Sequence, residues 1–153
     1  MTKWKCKDLG PTELFVGFQI NRDRSNRSLK IHQTLYTTKL LERMSMHKSN
    51  PTKLPIPAGI VLKADADDEL LEDDDITVYQ QIVGSVIYLV NGTRPDISYA
   101  VGQLARFMSS PGTTYFKLCK HLLRYLNGTR TFGILYSIRL LTLSLYIIFT
   151  DAT

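Results

Sequence analysis

The run from Thr77 to Ala100 constrains the fold most, because it writes two helices and the joint between them into one unbroken stretch. Thr77 and Gln80 have the spacing of a capping box, in which a hydroxyl and an amide reciprocally satisfy backbone N–H groups at a helix start. Tyr79, Ile82, Val83, Val86, Ile87 and Val90 then recur at three- and four-residue steps. That is the period of an amphipathic helix, and Asn91-Gly92 offers the left-handed residue that commonly ends one. Arg94 is biased out of the helical region by the proline after it, whereas Pro95 suits the first turn of a new helix. Asp96 lies at the positive end of that helix's dipole. Ile97, Ala100, Val101, Leu104, Ala105 and Met108 fall within about 100° on the helical wheel, so a second amphipathic helix follows. Ser109-Ser110-Pro111-Gly112 is expected to stop it.

The flanking segments add a hairpin, two further helices and a strand. Leu14, Val16, Phe18 and Ile20 alternate with Phe15, Gly17 and Gln19, and Leu29 and Ile31 alternate with Ser28, Lys30 and His32. Period-two alternation predicts a β-hairpin, closing through Asn21 to Arg27. Thr34 is expected to cap a helix lined by Leu35, Tyr36, Leu40, Leu41 and Met44 and ended by Asn50-Pro51. Pro51, Pro55 and Pro57, with Gly59, then predict an extended crossing. Thr113 or Thr114 can cap a helix running to Asn127-Gly128. Its wheel puts Lys117, Lys120, His121 and Arg124 on one side and Tyr115, Cys119, Leu122, Leu123 and Leu126 on the other. Leu140 to Phe149 is strongly apolar but about half the ~20 residues of a membrane helix, so it reads as a buried strand. The fold class predicted is α+β: an N-terminal β-hairpin, a mainly helical region and a C-terminal apolar strand.

The net charge of +5 conceals an asymmetry. Eight of the 14 acidic residues lie between Asp65 and Asp75, and the rest of the chain carries 19 basic residues against six acidic ones, about +13. Such an excess favours a polyanionic partner, nucleic acid being the plainest. The acidic tract has no glycine-centred calcium loop and no scaffold to aim its carboxylates, so it reads as a solvated linker and not a metal site. Cys6 and Cys119 lack metal-ligand spacing, and two distant thiols with no signal-peptide core suit a reduced cytoplasmic or nuclear setting.

The wording Tyr79…Val83-Gly84-Ser85…Tyr88-Leu89…Thr93-Arg94-Pro95-Asp96-Ile97-Ser98-Tyr99-Ala100 closely resembles the reverse transcriptase of copia-type LTR retrotransposons, in the C-terminal part of that domain of the Pol polyprotein. Lys7-Asp8-Leu9-Gly10…Phe15-Val16-Gly17-Phe18 and Gln33…Tyr36…Leu40-Leu41-Glu42-Arg43 upstream look like the same family in the same order. So do Phe107-Met108…Pro111 and Leu123-Arg124-Tyr125-Leu126-Asn127-Gly128-Thr129 downstream.

The resemblance implies a division of the chain. Residues 7–33 would be the palm-end hairpin that holds the primer, with Phe15, Val16 and Gly17 at the grip. Residues 34–62 would be a thumb-like helix and Pro-rich crossing, 63–76 the acidic linker, and 77–137 a helical thumb and connection. Residues 138–153 would open a ribonuclease H-like domain, with Asp151 matching its first metal-binding carboxylate. Gly17 would let a phosphodiester approach the backbone, although a bulge or a tight packing contact needs the same residue. Arg22, Arg24 and Arg27 in the hairpin loop and Lys117, Lys120 and Arg124 on the last helix are the candidate phosphate contacts; a solvated face would carry the same pattern.

The family's polymerase needs paired aspartates holding two Mg²⁺ ions. The family's motif, paired aspartates after an aromatic residue and flanked by apolar strand residues, does not occur in this sequence, and Asp73-Asp74-Asp75 is no substitute because it lies in a polar stretch. The expectation is therefore a non-catalytic half of a reverse transcriptase, inactive alone and without a cofactor of its own, with Mg²⁺ expected for the full-length enzyme. Its partners would be an RNA–DNA or DNA duplex and the remainder of the Pol polyprotein. The alternative is a noncatalytic helical interaction module, or a decayed retrotransposon remnant without selected function.

Overall fold

Strand periodicity near the N-terminus produces two tight connections, not one. The computed structural model describes residues 10–60 and 69–137. Strand β1 (Leu14–Phe15) turns through Val16 and Gly17 into β2 (Phe18–Asp23). Both turn residues take positive φ, +48° and +85°, the pattern of the two-residue hairpin turn whose twist matches its strands. The unbroken strand expected from Leu14 to Ile20 is therefore interrupted at Gly17. β2 pairs with β3 (Ser28–His32), and β3 with β4 (Gly133–Ser137), in an antiparallel sheet of order β1-β2-β3-β4. Asn21, Arg22 and Asp23 are drawn into pairs with Lys30, Leu29 and Ser28, so the closing loop shortens to Arg24–Arg27. The fold is α+β, as predicted, and β4 closes the stretch expected to be helical. The apolar segment Leu140 to Phe149, Asp151 and the acidic residues Asp65, Asp67 and Asp68 lie outside the described residues.

The first helix, α1 (Thr34–Arg43), buries Thr37, Leu40 and Leu41. Leu35, expected on that stripe, is 54% exposed. It precedes Thr37 by two residues, roughly 200° around a helix with 3.6 residues per turn. Nor does Thr34 cap the helix: Gln33 occupies that position, and the Thr34 hydroxyl bonds the His32 Nδ1 at 2.6 Å. Helix α1 also ends at Arg43, well before Asn50.

Helix α2 (Asp73–Gly92) starts a turn earlier than the capping-box spacing predicts. Asp73, Asp74 and Asp75 occupy its first turn, where carboxylates offset the positive end of the dipole. Thr77 instead donates to the Asp73 carbonyl at 3.1 Å, and Gln80 Nε2 donates to the Met108 carbonyl at 2.8 Å. Gly92 is not left-handed; the helix runs through it and Thr93 follows at φ −137°. What requires glycine there is space, since a Cβ would meet Phe18 Cε1 at 2.7 Å and overlap the Gln33 amide. Gly84, on the exposed side of the same helix, has nothing within 4 Å of that position. Gly84→Ala should therefore stabilise the chain by about 0.5–1 kcal/mol, read as a raised urea midpoint, because alanine loses less backbone entropy in a helix.

A 3₁₀ turn (Pro95–Ile97) leads into α3 (Ser98–Ala105), and α4 (Thr113–Gly128) follows. Ile97, Ala100, Val101 and Leu104 are buried, as their spacing predicts, whereas Ala105 and Met108 are only partly buried and Met108 lies beyond the helix's end. Tyr79, Ile82, Val83, Val86 and Leu89 from α2 meet Cys119, Leu122, Leu123 and Leu126 from α4 in one core. The Tyr79 hydroxyl, inside that core, donates to the Leu104 carbonyl at 2.7 Å. Burial pushes the Cys119 thiol up to about 12, so it stays protonated and packs as a small apolar group.

Arg94 heads the large, fully buried side chains among the described residues, at 1% exposure. Its Nε and Nη2 grip Asp96 at 2.9 and 2.8 Å, and Nη1 and Nη2 reach the Thr129 carbonyl and hydroxyl, both at 2.8 Å. Tyr125 donates to the same Asp96 carboxylate at 2.9 Å, and the guanidinium lies against the Tyr125 and Phe132 rings. Thus the Arg-Pro-Asp joint is clamped to the end of α4.

Candidate nucleic-acid interface

The Phe15-Val16-Gly17 turn projects from the sheet with Leu14, Phe15 and Val16 all exposed. Tyr88 of α2 supports it: its hydroxyl lies 3.4 Å from the Val16 carbonyl, and its ring packs beside Phe18 and Tyr36. A Cβ on Gly17 would come within 2.8 Å of that hydroxyl. The glycine is thus demanded both by its positive φ and by a packing contact.

Arg22, Arg24 and Arg27 gather at the opposite end of β2. Arg27 takes a positive φ of +48°, and its backbone N–H reaches the Arg24 carbonyl at 3.4 Å. Asp23 organises the loop by accepting from the Ser25 hydroxyl and from the Asn26 backbone and side-chain nitrogens. Those bonds, led by Ser25, hold its carboxyl down at about 2. The three guanidinium groups make no hydrogen bond or ion pair with any described residue, so their charge is available to a ligand.

On α4 the basic stripe divides. Lys117 and Lys120 are exposed, with the Lys120 ammonium 4.0 Å from the centre of the Phe116 ring. His121 Nε2 donates to the Leu54 carbonyl at 2.9 Å, and Arg124 Nε donates to the Asn50 carbonyl at 2.7 Å. These two side chains clamp the proline-rich crossing to the helix, helped by Asn127, which donates to the Ser49 carbonyl. The structure thus brings the loop arginines together and leaves the α4 lysines on a separate element. Sequence reading missed the Arg94–Asp96–Thr129–Tyr125 cluster, although all four residues fall within the motifs that carry the family resemblance.

Comparison with known proteins gives the lineage. The chain is 36% identical over 126 residues to the retrovirus-related Pol polyprotein from transposon TNT 1-94 of Nicotiana tabacum, covering 80% of this chain and 10% of the polyprotein. It is 36% identical over 132 residues to the Pol polyprotein from transposon RE1 of Arabidopsis thaliana, covering 86% of this chain and 9% of that protein. The chain is a homologue of copia-type Pol polyproteins. An uncharacterized mitochondrial protein of Arabidopsis thaliana is 37% identical over 131 residues, and there the Pol homologue covers 52% of the relative's length. It thus spans between about a tenth and about half of these relatives. No family model matches it, and no solved structure does.

Among the described residues of this Pol homologue no three His, Cys, Asp or Glu side chains converge to hold a metal ion. No helix among them is long and apolar enough to cross a membrane.

Proposed function

We propose that this chain serves as a non-catalytic half of a copia-type reverse transcriptase and binds template–primer duplex, RNA–DNA or DNA, without sequence preference. The observation that carries this reading is a set of cations with no carboxylate partner among the described residues: Arg22 near the end of β2, Arg24 and Arg27 on the hairpin loop, and Lys117 and Lys120 on α4. Contacts of this kind neutralise phosphates and release counterions, which gives affinity but reads no bases. Arg124 could add a phosphate contact through the guanidinium nitrogens that its bond to Asn50 leaves over.

Fluorescence anisotropy with labelled blunt RNA–DNA and DNA duplexes tests the reading. Five phosphate contacts predict that affinity falls roughly 500-fold for a fourfold rise in salt, and Lys117→Glu with Lys120→Glu should flatten the logarithmic slope by about 2. Salt-insensitive binding, or none, would sink it. A second reading, an interaction module that docks on the remainder of the Pol polyprotein, draws on the exposed apolar turn Leu14-Phe15-Val16. Salt-insensitive binding to the remainder of the Pol polyprotein that is lost on Phe15→Asp, with no duplex bound, would favour it instead.

A further inference from the structure

Residues paired across an antiparallel sheet present their side chains on one face. The register therefore sets Arg22, Leu29 and Tyr136 side by side across β2, β3 and β4. Arg24 and Arg27 rise from the loop at the same end, and together these side chains line a groove of about 670 Å³. Its floor is apolar, its rim is cationic, and Tyr136 is 49% exposed beside it. Asp23, which also lines the groove, already has its oxygens engaged by Ser25 and Asn26, so it leaves the three arginines unpaired.

We propose that this groove holds an unpaired nucleic-acid strand, one base stacking on Tyr136 and the neighbouring phosphates meeting Arg22, Arg24 and Arg27. The inference rests on the duplex-binding reading for the class of partner and gives Arg22, Arg24 and Arg27 a second ligand, a single strand whose base reaches Tyr136. Three arginines call for a polyanion, and an exposed aromatic ring over an apolar floor calls for a flat apolar partner. A single strand supplies both along one backbone. A duplex does not, because its bases are already stacked on both faces. An acidic peptide would satisfy the arginines and leave the ring and Leu29 bare.

The test is anisotropy of the full chain with a labelled single-stranded oligonucleotide and with a blunt duplex of the same sequence. Tyr136→Ala should weaken single-strand binding about tenfold, the size of one base–aromatic stack, and leave blunt-duplex binding unchanged, while Tyr136→Phe should retain the stack. Replacing Arg22 near the end of β2 and Arg24 and Arg27 in the exposed loop with alanine should reduce the single-strand salt slope by about 2. The proposal is overturned if Tyr136→Ala binds single strand like the unaltered chain, if it weakens both ligands equally, or if poly-glutamate competes as well as the oligonucleotide. Duplex bound without single strand sinks the groove and spares the duplex reading; single strand bound without duplex does the reverse; no binding sinks both.

Discussion

Arg94→Met is expected to destabilise the chain by about 3–5 kcal/mol, the range seen when one member of a buried ion pair is removed. Against a typical total of about 5–15 kcal/mol, that approaches global unfolding. The loss has several sources. Asp96, only 13% exposed, would keep a carboxylate with no counter-charge, and the Thr129 carbonyl and hydroxyl would each lose a donor. Arg94→Lys should recover little, because an ammonium is a point charge and cannot span Asp96 and Thr129 with one rigid fork. The double variant Arg94→Met, Asp96→Leu should regain part of the loss, since it removes the stranded charge, but not all of it, since Thr129 and Tyr125 remain short of partners. Urea unfolding followed by circular dichroism gives the four free energies of this cycle. Additive single losses would show that Arg94 and Asp96 do not act as a pair.

The same cluster shows what the sequence could and could not display. Apolar periodicity located α2, α3 and α4 well, because Val83, Val86, Leu104 and Leu122 must face a core wherever their helices end. Helix boundaries fared worse. Thr77 and Gln80 have the spacing of a capping box, yet Asp73-Asp74-Asp75 extends the helix and each side chain finds another carbonyl. Spacing records which bonds are possible, and tertiary contacts select among them. Gly92 misled in the same way, since a glycine after asparagine reads as a left-handed cap, whereas its lack of a Cβ admits Phe18 and Gln33. Arg94 was legible only as the residue before a proline; its partner Thr129 lies 35 residues away, beyond any local pattern.

The candidate interface divides along similar lines. Arg24 and Arg27 share the closing loop and Arg22 lies near the end of the strand before it, so their proximity followed from the hairpin. Lys117, Lys120, His121 and Arg124 shared a helical face, but the wheel could not show that His121 and Arg124 turn to the proline-rich crossing. Tyr136 was invisible as a site residue because strand register, not sequence proximity, puts it beside Leu29 and Arg22.

Gly133→Ala is the second large effect expected, about 1–3 kcal/mol at least, because the added methyl has nowhere to go. Gly133 pairs with His32, and a Cβ there would overlap the Ile31 carbonyl and lie 2.7 Å from His32 Cβ and 3.1 Å from His32 Cα. At Gly17 the nearest obstacle is the mobile tip of a tyrosine; at Gly133 it is the backbone and Cβ of β3, which can move only if the strands part. Urea unfolding should register the loss, and hydrogen exchange should show β4 amides deprotected before those of α2. Because Tyr136 rides on β4, single-strand affinity should fall with the loss of pairing, whereas the lysines of α4 stay where they are. The same one-methyl change therefore runs in opposite directions at Gly84 and Gly133. Backbone propensity decides the exposed helix position, and the separation of two strands decides the other. Equal responses at the two sites would refute the close β3–β4 approach from which the groove is built.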